Sequence, residues 1–370
     1  MKAIISKTRK EFQNCKIDSF LSFDTNNIWY ITNFSASFAY LLVTQKTVLL
    51  ISDSRYSVSA QKLCDDLGIE YVEITSDKNF WKNICEKYNI KNIGIEANKI
   101  TLSQFSNLKN NFEKNINFRE TKNIIENIRT LKSKNEITIL KKCAEIGDFS
   151  LEKLVENFKE GITEKELAWI FEKSAREIFG ASGLSFDTIV AFSENSASPH
   201  HESSDKKLEK NTTILIDCGV KYKNYCSDLT RCFWFGEKKG EKYENWKKIY
   251  ATVKKAQELG IEKMQSGIII AESEQSARKY FTSKNIDHKK YFGHSFGHGV
   301  GIDIHELPHV SAKNEKEKYK TGMVITAEPG LYFSDNSQKM NFGIRIEDLL
   351  FISEKTGKAE FLSNFPYEFY

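Results

Sequence analysis

The sequence predicts an α/β domain over residues 1–125, followed by an α+β domain over residues 126–370. The length of 370 residues indicates two domains, because single hydrophobic cores usually stop growing near about 250–300 residues. Short β-rich runs alternate with helical runs in the first part, which is typical of an α/β layer. The second part opens with two helices and continues with strands and two more helices.

In the first domain, short β-rich runs predict strands and the stretches between them predict helices. Gly68 directly follows one helical run and marks its end. The predicted strands are Phe20–Phe23, Tyr40–Thr44, Val48–Ser52, Ile69–Ile74 and Ile93–Glu96, and the predicted helices are Tyr56–Leu67 and Phe80–Tyr88.

Two capping boxes mark helix starts in the second domain. Ser133 precedes Glu136, and Thr163 precedes Glu166; in such pairs the two side chains satisfy free N–H groups at a helix start. The predicted strands are Thr188–Phe192, Thr212–Cys218, Leu229–Phe235, Met323–Glu328 and Phe342–Ile352, and two further helices span residues 241–265 and 271–284. This order of elements predicts the α+β class.

The composition excludes several classes of protein. The 54 Lys and Arg residues against 50 Asp and Glu leave a formal charge of +4, without the basic block that nucleic-acid binding requires. No apolar run approaches the roughly 18–20 residues of a membrane span, and residues 1–12 lack the apolar stretch of a signal peptide. The seven cysteines form no CxxC pair and fit a reducing compartment. We therefore expect a cytoplasmic protein that binds neither nucleic acid nor membrane.

The histidines are unevenly distributed. All seven lie between His200 and His309, and the first 198 residues contain none. Histidine is the side chain best suited to metal binding and to proton transfer near neutral pH. The clustering therefore places the chemistry in the second domain.

Four acidic residues interrupt or end apolar strands. Asp217 ends one predicted strand and Asp228 opens the next, so an antiparallel hairpin would bring the two together, while Glu328 and Glu347 lie in later strands. Any one acid alone is more often a salt-bridge partner, but four together with histidines indicate metal ligands, because burying unpaired charges is costly. Four carboxylates match the charge of two divalent cations, and mostly oxygen ligands suit Mn²⁺, Co²⁺, Fe²⁺ or Zn²⁺.

The order Asp217, Asp228, His298, Glu328, Glu347 resembles the five metal ligands of the pita-bread (creatinase/aminopeptidase P) metallopeptidase family, which includes methionine aminopeptidase, Xaa-Pro aminopeptidase and prolidase. The motifs that carry this resemblance are Ile216–Gly219, Ser227–Arg231, Gly297–Glu306, Thr326–Gly330 and Arg345–Asp348. The motifs Tyr30–Phe34, Ile51–Tyr56 and Arg129–Ser133 resemble the proline-specific branch, whose members carry a creatinase-type N-terminal domain.

The resemblance implies a role for each ligand. Asp217 would chelate one metal ion, Asp228 and Glu347 would bridge both ions, and His298 and Glu328 would complete the other. It also implies that Glu328 acts as general base on a water that bridges two divalent ions, for which Mn²⁺ is our first expectation, with Co²⁺, Zn²⁺ and Fe²⁺ as alternatives.

The resemblance further implies that four histidines contact the substrate. His200 and His305 resemble the pair that flanks the scissile carbonyl, where donors to the developing oxyanion typically contribute about 3–4 kcal/mol each. His294 resembles a position beside the metals, where substrate contact and a supporting role are both open, and His309 is a candidate for the pocket wall. His201 stands where relatives usually carry Gly, which leaves its role open.

A competing motif lies in the same segment. His305-Glu-Leu-Pro-His309 has the HExxH pattern of zinc proteases, which needs both histidines on one helical face. Pro308 disfavours a helix there, so we reject the zincin interpretation and interpret the glycines at 297, 299 and 301 as allowing the backbone to pass close to the metals.

These inferences predict a dinuclear metallopeptidase that cleaves peptides with proline in the second position, an Xaa-Pro aminopeptidase. Prolidase, which cleaves only Xaa-Pro dipeptides, is the alternative within the enzymes. A metal-free peptide-binding module is the alternative outside them, and all five ligand positions argue against it. The resemblance also suggests a homodimer.

Overall fold

The computed structural model describes residues 1–334 and 340–367, and the chain divides into two compact units, Met1–Arg129 and Thr130–Tyr370. The sequence predicts this border between residues 125 and 126. The difference is one short helix, Ile124–Arg129, whose residues Ile124 and Ile125 are buried in the core of the first unit.

The first unit alternates helices with strands. Its elements are α1 Lys2–Cys15, β1 Ser19–Ser22, α2 Thr25–Thr32, β2 Tyr40–Thr44, β3 Val48–Ser52, α3 Ser57–Leu67, β4 Glu70–Glu73, α4 Phe80–Tyr88, β5 Asn92–Glu96, α5 Leu102–Asn110, β6 Asn117–Thr121 and α6 Ile124–Arg129. The strands form one mixed sheet in the order β4-β3-β2-β1-β5-β6, with parallel pairing at β3–β4, β1–β5 and β5–β6.

Helices cover both faces of this sheet. In β2, Leu41 and Val43 pack into a cluster with α1, α2, α3 and α6, whereas Leu42 packs into a second cluster with α4 and α5. Strands buried on both faces read as continuous apolar runs, which is why the sequence pattern located them. The predicted α/β class is therefore confirmed.

The second unit opens with helices and then alternates strands with helices. Its elements are α7 Lys134–Val155, α8 Glu164–Lys173, β7 Gly183–Leu184, β8 Ile189–Phe192, β9 Thr212–Cys218, β10 Val220–Tyr222, β11 Tyr225–Cys226, β12 Leu229–Phe235, α9 Glu241–Ile261, α10 Ala271–Ser283, α11 His288–Tyr291, β13 Gly297–Gly299, β14 Glu306–Val310, β15 Val324–Ala327, β16 Gly330–Phe333, β17 Phe342–Arg345, β18 Asp348–Ile352 and β19 Ala359–Phe361. Both predicted capping boxes are formed, at the starts of α7 and α8. The α+β class is confirmed.

The strands of this unit form several small sheets instead of one large one. The two that carry the site have the orders β12-β9-β8 and β14-β13-β15-β18-β19, and β16 and β17 form a two-stranded sheet. The prediction of one strand over Phe342–Ile352 was wrong, because β17 pairs with β16 whereas β18 pairs with β15. The chain changes partners at Glu347, whose N–H donates to the carbonyl of Thr230.

The core of the second unit lies between helices α9 and α10 and the strands. Val253 and Ala256 of α9 and Ala277 and Phe281 of α10 are fully buried in it. Among the helices of residues 1–334 and 340–367, none combines the length and the apolar character needed to cross a membrane.

Candidate metal centre

Asp217 and Asp228 lie at one end of the β9–β12 hairpin. Asp217 pairs with Thr230 across the ladder, and Asp228 directly precedes Leu229, which pairs with Cys218. The predicted antiparallel hairpin is therefore formed, and it places both acids at the same end of the ladder. The intervening residues leave the ladder and form β10 and β11 in a separate sheet.

The other three predicted ligands come from the neighbouring sheet. His298 is the middle residue of β13, Glu328 follows β15, and Glu347 lies between β17 and β18. Pairing of β13 with β15 and of β15 with β18 places these positions at the same end of the three strands. An isolated bridge between Thr230 and Glu347 joins this end of the sheet to the hairpin.

Glycines allow β13 to fit between its neighbours. A side chain at Gly297 would overlap the backbone of Thr326, and one at Gly299 would overlap the backbone of Leu307. The interpretation that these glycines let the backbone pass close to the metals stays a prediction. Gly297 and Gly299 let the neighbouring strands pack closely against β13, and this packing fixes the position of His298.

The donor groups are close enough to share cations. Asp228, His298 and Glu347 each offer a ligand atom, and these atoms lie within 4.8 Å of one another. Nε2 of His298 lies 3.5 Å from Oδ2 of Asp228 and 3.4 Å from Oε1 of Glu328. Oδ1 of Asp217 is buried and has no hydrogen-bond partner among the described residues, so it can bind a cation.

The hydrogen bond of His298 determines its tautomer. Nδ1 lies 3.0 Å from the carbonyl oxygen of Gly299, and a carbonyl oxygen can only accept. Nδ1 therefore carries the proton, and the lone pair of Nε2 faces the carboxylates. This is the orientation in which a second hydrogen bond prepares a histidine for metal binding.

Electrostatics also favour a bound cation. Burial, together with the charge of neighbouring carboxylates, raises the pKa values of Asp228 and Glu347 well above their usual range. Burial raises the pKa of Glu328 to about 7, whereas it lowers the pKa of His298 to about 4. Buried carboxylates beside a neutral imidazole have the chemistry of a divalent-cation site.

Arg345 is the first residue of the Arg345–Asp348 motif, and the resemblance implied no role for it. Its guanidinium donates to Oδ2 of Asp217 at 2.5 Å, to Oγ1 of Thr230 at 3.0 Å and to the hydroxyl of Tyr332 at 2.9 Å. Thr230 in turn donates to Oε2 of Glu347 at 2.6 Å. Arg345 therefore orients two of the predicted ligands.

His294 is occupied by protein groups on both ring nitrogens. Nδ1 lies 2.8 Å from the carbonyl oxygen of Ser295, and Nε2 lies 3.0 Å from the hydroxyl of Tyr332. Burial lowers its pKa to about 3, so the ring is neutral. This favours a role in supporting Tyr332 over direct contact with a substrate.

A cavity of about 470 Å³ contains the site. Every predicted ligand and His200, His294, His305 and His309 line this cavity. The ring of His305 lies 4.4 Å from the ring of His298, and His309 pairs directly with His298 across β13–β14. Apolar side chains of Phe186, Ile189 and Ile304 form another part of the wall.

The HExxH segment is not helical, as predicted. Residues 306–310 form strand β14, so His305 and His309 do not share a helical face. Glu306 instead accepts a hydrogen bond of 2.5 Å from Lys132, and these side chains are only 5% and 1% exposed. The zinc-protease geometry is therefore absent from this segment.

Comparisons with known proteins agree with this arrangement. The profile of metallopeptidase family M24 matches residues 138–354, and that of the creatinase/prolidase N-terminal domain matches residues 4–131. An uncharacterized peptidase of Bacillus subtilis, YqhT, is 31% identical over 96% of both chains.

Two solved structures are similar over nearly their whole length. The Xaa-Pro dipeptidase from Bacillus anthracis has a TM-score of 0.90 and 31% identity, covering 99% of this chain and 98% of its own. The X-Pro aminopeptidase from Thermotoga maritima has a TM-score of 0.84 and 32% identity, with coverages of 97% and 99%. With its creatinase-type N-terminal domain and its carboxylate-rich centre, the chain belongs to metallopeptidase family M24.

Proposed function

We propose that the protein is an Xaa-Pro aminopeptidase, which hydrolyses the bond between an N-terminal residue and proline. The observation that carries this proposal is the convergence of five donor side chains on a cavity that also holds histidine donors and an apolar wall. Membership in family M24 establishes a metallopeptidase, and the names of its structural neighbours point to proline-containing substrates.

Each group has a chemical task in this proposal. Two divalent cations, when bound, supply hydroxide near neutral pH and polarise the carbonyl. Asp217, Asp228, His298, Glu328 and Glu347 would hold them. Glu328 would also take the proton of the attacking water, because its hydrogen bond from Thr326 is a weak one of 3.4 Å and its carboxylate retains lone pairs for the transfer.

The remaining cavity groups would bind the peptide. His200 and His305 would donate to the carbonyl oxygen as negative charge develops there. The proline ring would pack against the apolar wall of Phe186, Ile189 and Ile304. Such a pocket is needed because proline has no N–H and a restricted backbone, so it does not fit the sites of ordinary peptidases.

Space beyond the site favours an aminopeptidase over a dipeptidase. A second and more open cavity, of about 530 Å³, shares Ser295 and His309 with the first and extends to Ser311 and Lys313. This space would accommodate residues that follow proline. The alternative, prolidase, is supported by the Xaa-Pro dipeptidase among the structural neighbours.

The sequence resemblance supports three further parts of the proposal. They are Mn²⁺ as the preferred ion, assembly as a homodimer and a cytoplasmic location. The donor set alone accepts several first-row divalent ions, so cellular supply contributes to the choice.

The test compares an Xaa-Pro dipeptide, an Xaa-Pro-Yaa tripeptide and an Xaa-Ala-Yaa control, with protein stripped of metal and then supplied with Mn²⁺ or Co²⁺. We expect metal-dependent cleavage of the tripeptide and no cleavage of the control. Turnover of the dipeptide alone would establish the prolidase alternative. If neither ion binds, the metal-free binding module replaces the enzyme.

A further inference from the structure

The segment that carries His200 is tied to a single buried carboxylate. We call residues 192–204 the His200 loop; it runs from the end of β8 through a 3₁₀ turn at Ser193–Ala197. Glu164, the first residue of α8, is fully buried beneath it. The capping box at Thr163 fixes the start of this helix, so the carboxylate projects from a rigid element.

Glu164 accepts hydrogen bonds from four positions of the loop. Oε1 accepts from the N–H of Phe192 at 2.7 Å and from the side-chain amide of Asn195 at 2.9 Å. Oε2 accepts from Nε2 of His201 at 2.8 Å. It also accepts from the N–H and hydroxyl of Ser204 at 2.9 and 2.6 Å. One carboxylate therefore holds the start, the middle and the end of the loop.

The bond to His201 holds the residue that directly follows His200, which lines the cavity. Although burial opposes ionisation, the hydrogen bonds from Ser204 and His201 lower the pKa of Glu164, so the carboxylate is charged and can only accept. His201 must then donate from Nε2. The side chain of His201 is 16% exposed, whereas its neighbour His200 is exposed and lines the cavity.

The geometry points to Glu164 and His201 as positioning residues that hold His200 against the cavity wall. The opposite side of the loop is held by β17, because Gly343 donates to Ser196 at 2.9 Å and Arg345 donates to the carbonyl of Pro199 at 3.4 Å. His200 thus lies between two anchored residues, Pro199 and His201. The role of His201 that the sequence left open is to lock the side of the loop nearer to α8.

This inference rests on the proposed function, since His200 would contact the peptide carbonyl. Small displacements of such a donor reduce turnover strongly, because a shift of about 1 Å can cost up to about 100-fold. Removal of the His201 hydrogen bond should therefore lower kcat more than it changes KM, without changing the metal content.

The kinetic experiment uses the Mn²⁺-loaded full chain and an Xaa-Pro-Yaa tripeptide. We expect H201A to lower kcat about 10-fold or more, and H201Q to recover most of the loss because its amide can still donate to Glu164. E202A is the matched control, since Glu202 is the exposed next residue of the same loop. Equal kcat values for wild type and H201A would overturn the inference.

A double-mutant cycle separates positioning from a general structural effect. If His201 acts through His200, H201A should cost less than about 2-fold in an H200A background. A full multiplicative loss in that background would show that His201 acts elsewhere and would overturn the inference.

Hydrogen exchange provides a readout that does not depend on activity. H201A should accelerate exchange of the loop amides from Ser196 to Ser204, and E202A should not. If the wild type fails to cleave Xaa-Pro peptides, the proposed function fails, and the exchange rates still decide whether His201 holds the loop. Unchanged protection in H201A would contradict the positioning role.

Discussion

Asp217 divides its two carboxylate oxygens between different partners. Oδ2 is held by Arg345, whereas Oδ1 is buried and has no hydrogen-bond partner within residues 1–334 and 340–367. The position of this acid at the end of an apolar strand was visible in the sequence. Its partner was not, because Arg345 lies 128 residues further along the chain, and a sequence motif does not show which side chains meet.

Glu328 and Glu306 allow a direct test of the assigned base. We expect E328Q to lower Mn²⁺-dependent hydrolysis of an Xaa-Pro-Yaa tripeptide by about 100-fold or more, because the amide cannot accept the proton. E306Q should retain metal-dependent hydrolysis, since Glu306 pairs with Lys132. Steady-state kinetics with equal metal loading measures both.

The E306Q variant also carries a cost in stability. It leaves Lys132 buried without its carboxylate partner, and breaking buried ion pairs typically costs about 3–5 kcal/mol. E306Q should therefore unfold at a lower temperature than E328Q, although E306Q should be the more active of the two variants. If E306Q abolished hydrolysis while E328Q left it intact, the zinc-protease interpretation would return.

Asp148, which does not line the cavity of the site, makes the stability of the protein depend on pH. Burial raises the pKa of Asp148 to about 7 from an ordinary value of 3.8. Between these values the folded protein binds a proton that the unfolded chain does not. The contribution of Asp148 is therefore most favourable below about pH 4 and is lost as the pH rises to 7.

The substitution D148N removes this titration. We expect the free energy of unfolding of the wild type, relative to that of D148N, to fall by on the order of 1–4 kcal/mol between pH 4 and 7. Above pH 7 the difference should stay constant. Thermal unfolding midpoints across this range measure the difference, and D205N at an exposed position is the control. A constant difference at every pH would rule out a titrating Asp148.

At the level of elements, apolar runs and capping boxes predicted much of the fold. Strands β2 and β3 have the predicted limits, because burial on both sheet faces leaves a continuous apolar pattern. Helix α4 also has the predicted limits. Helix α5 was not predicted, although Thr101 and Gln104 form a capping box at its start. This capping box is a signal that the sequence itself contains.

Other features could not be predicted from local patterns. Two strands, β17 and β18, resemble one apolar run, because periodicity does not reveal a change of partner. The network around Glu164 joins residues up to 40 positions apart, and only the fold brings them together. The candidate metal ligands were the exception, since acids in apolar strands are conspicuous before any partner is known.

Strand β13 depends on glycine for its place between β14 and β15. We expect G297A to destabilise the protein by about 1–3 kcal/mol, because the new methyl group would overlap the backbone of Thr326. It should also weaken Mn²⁺ binding by displacing His298. Thermal unfolding and calorimetric titration with Mn²⁺ measure these effects.

Gly293 provides the matched control for this substitution. It lies five residues before His298, and a side chain there would meet nothing within 4 Å. G293A should therefore change stability by no more than about 0.5 kcal/mol. Equal effects of G293A and G297A would contradict the packing argument.

At the level of the whole molecule, metal binding should be coupled to folding. A ligand present at 100 times its Kd stabilises the folded state by about 2.7 kcal/mol. For a unit of this size that corresponds to roughly 5–10 °C in the unfolding midpoint. We expect Mn²⁺ to raise the Tm of metal-stripped protein and a chelator to reverse the change.

Variants at the centre identify the source of this shift. D228N should lose most of the Mn²⁺-induced rise in Tm, because one predicted bridging carboxylate becomes a neutral amide. E202A should keep the full rise. A rise that is the same in D228N and in the wild type would place the stabilising ion elsewhere.

The course of the chain between Asp217 and Asp228 shows where this protein can change in length. Lys223 and Asn224 both have positive φ, at 47° and 66°, and form the turn between β10 and β11, outside the β9–β12 ladder. One extra residue inside β9 would turn Asp217 to the opposite face of its sheet. A residue added at the turn would leave the β9–β12 ladder unchanged, and with it the positions of Asp217 and Asp228. Natural or engineered insertions are therefore best tolerated at this turn.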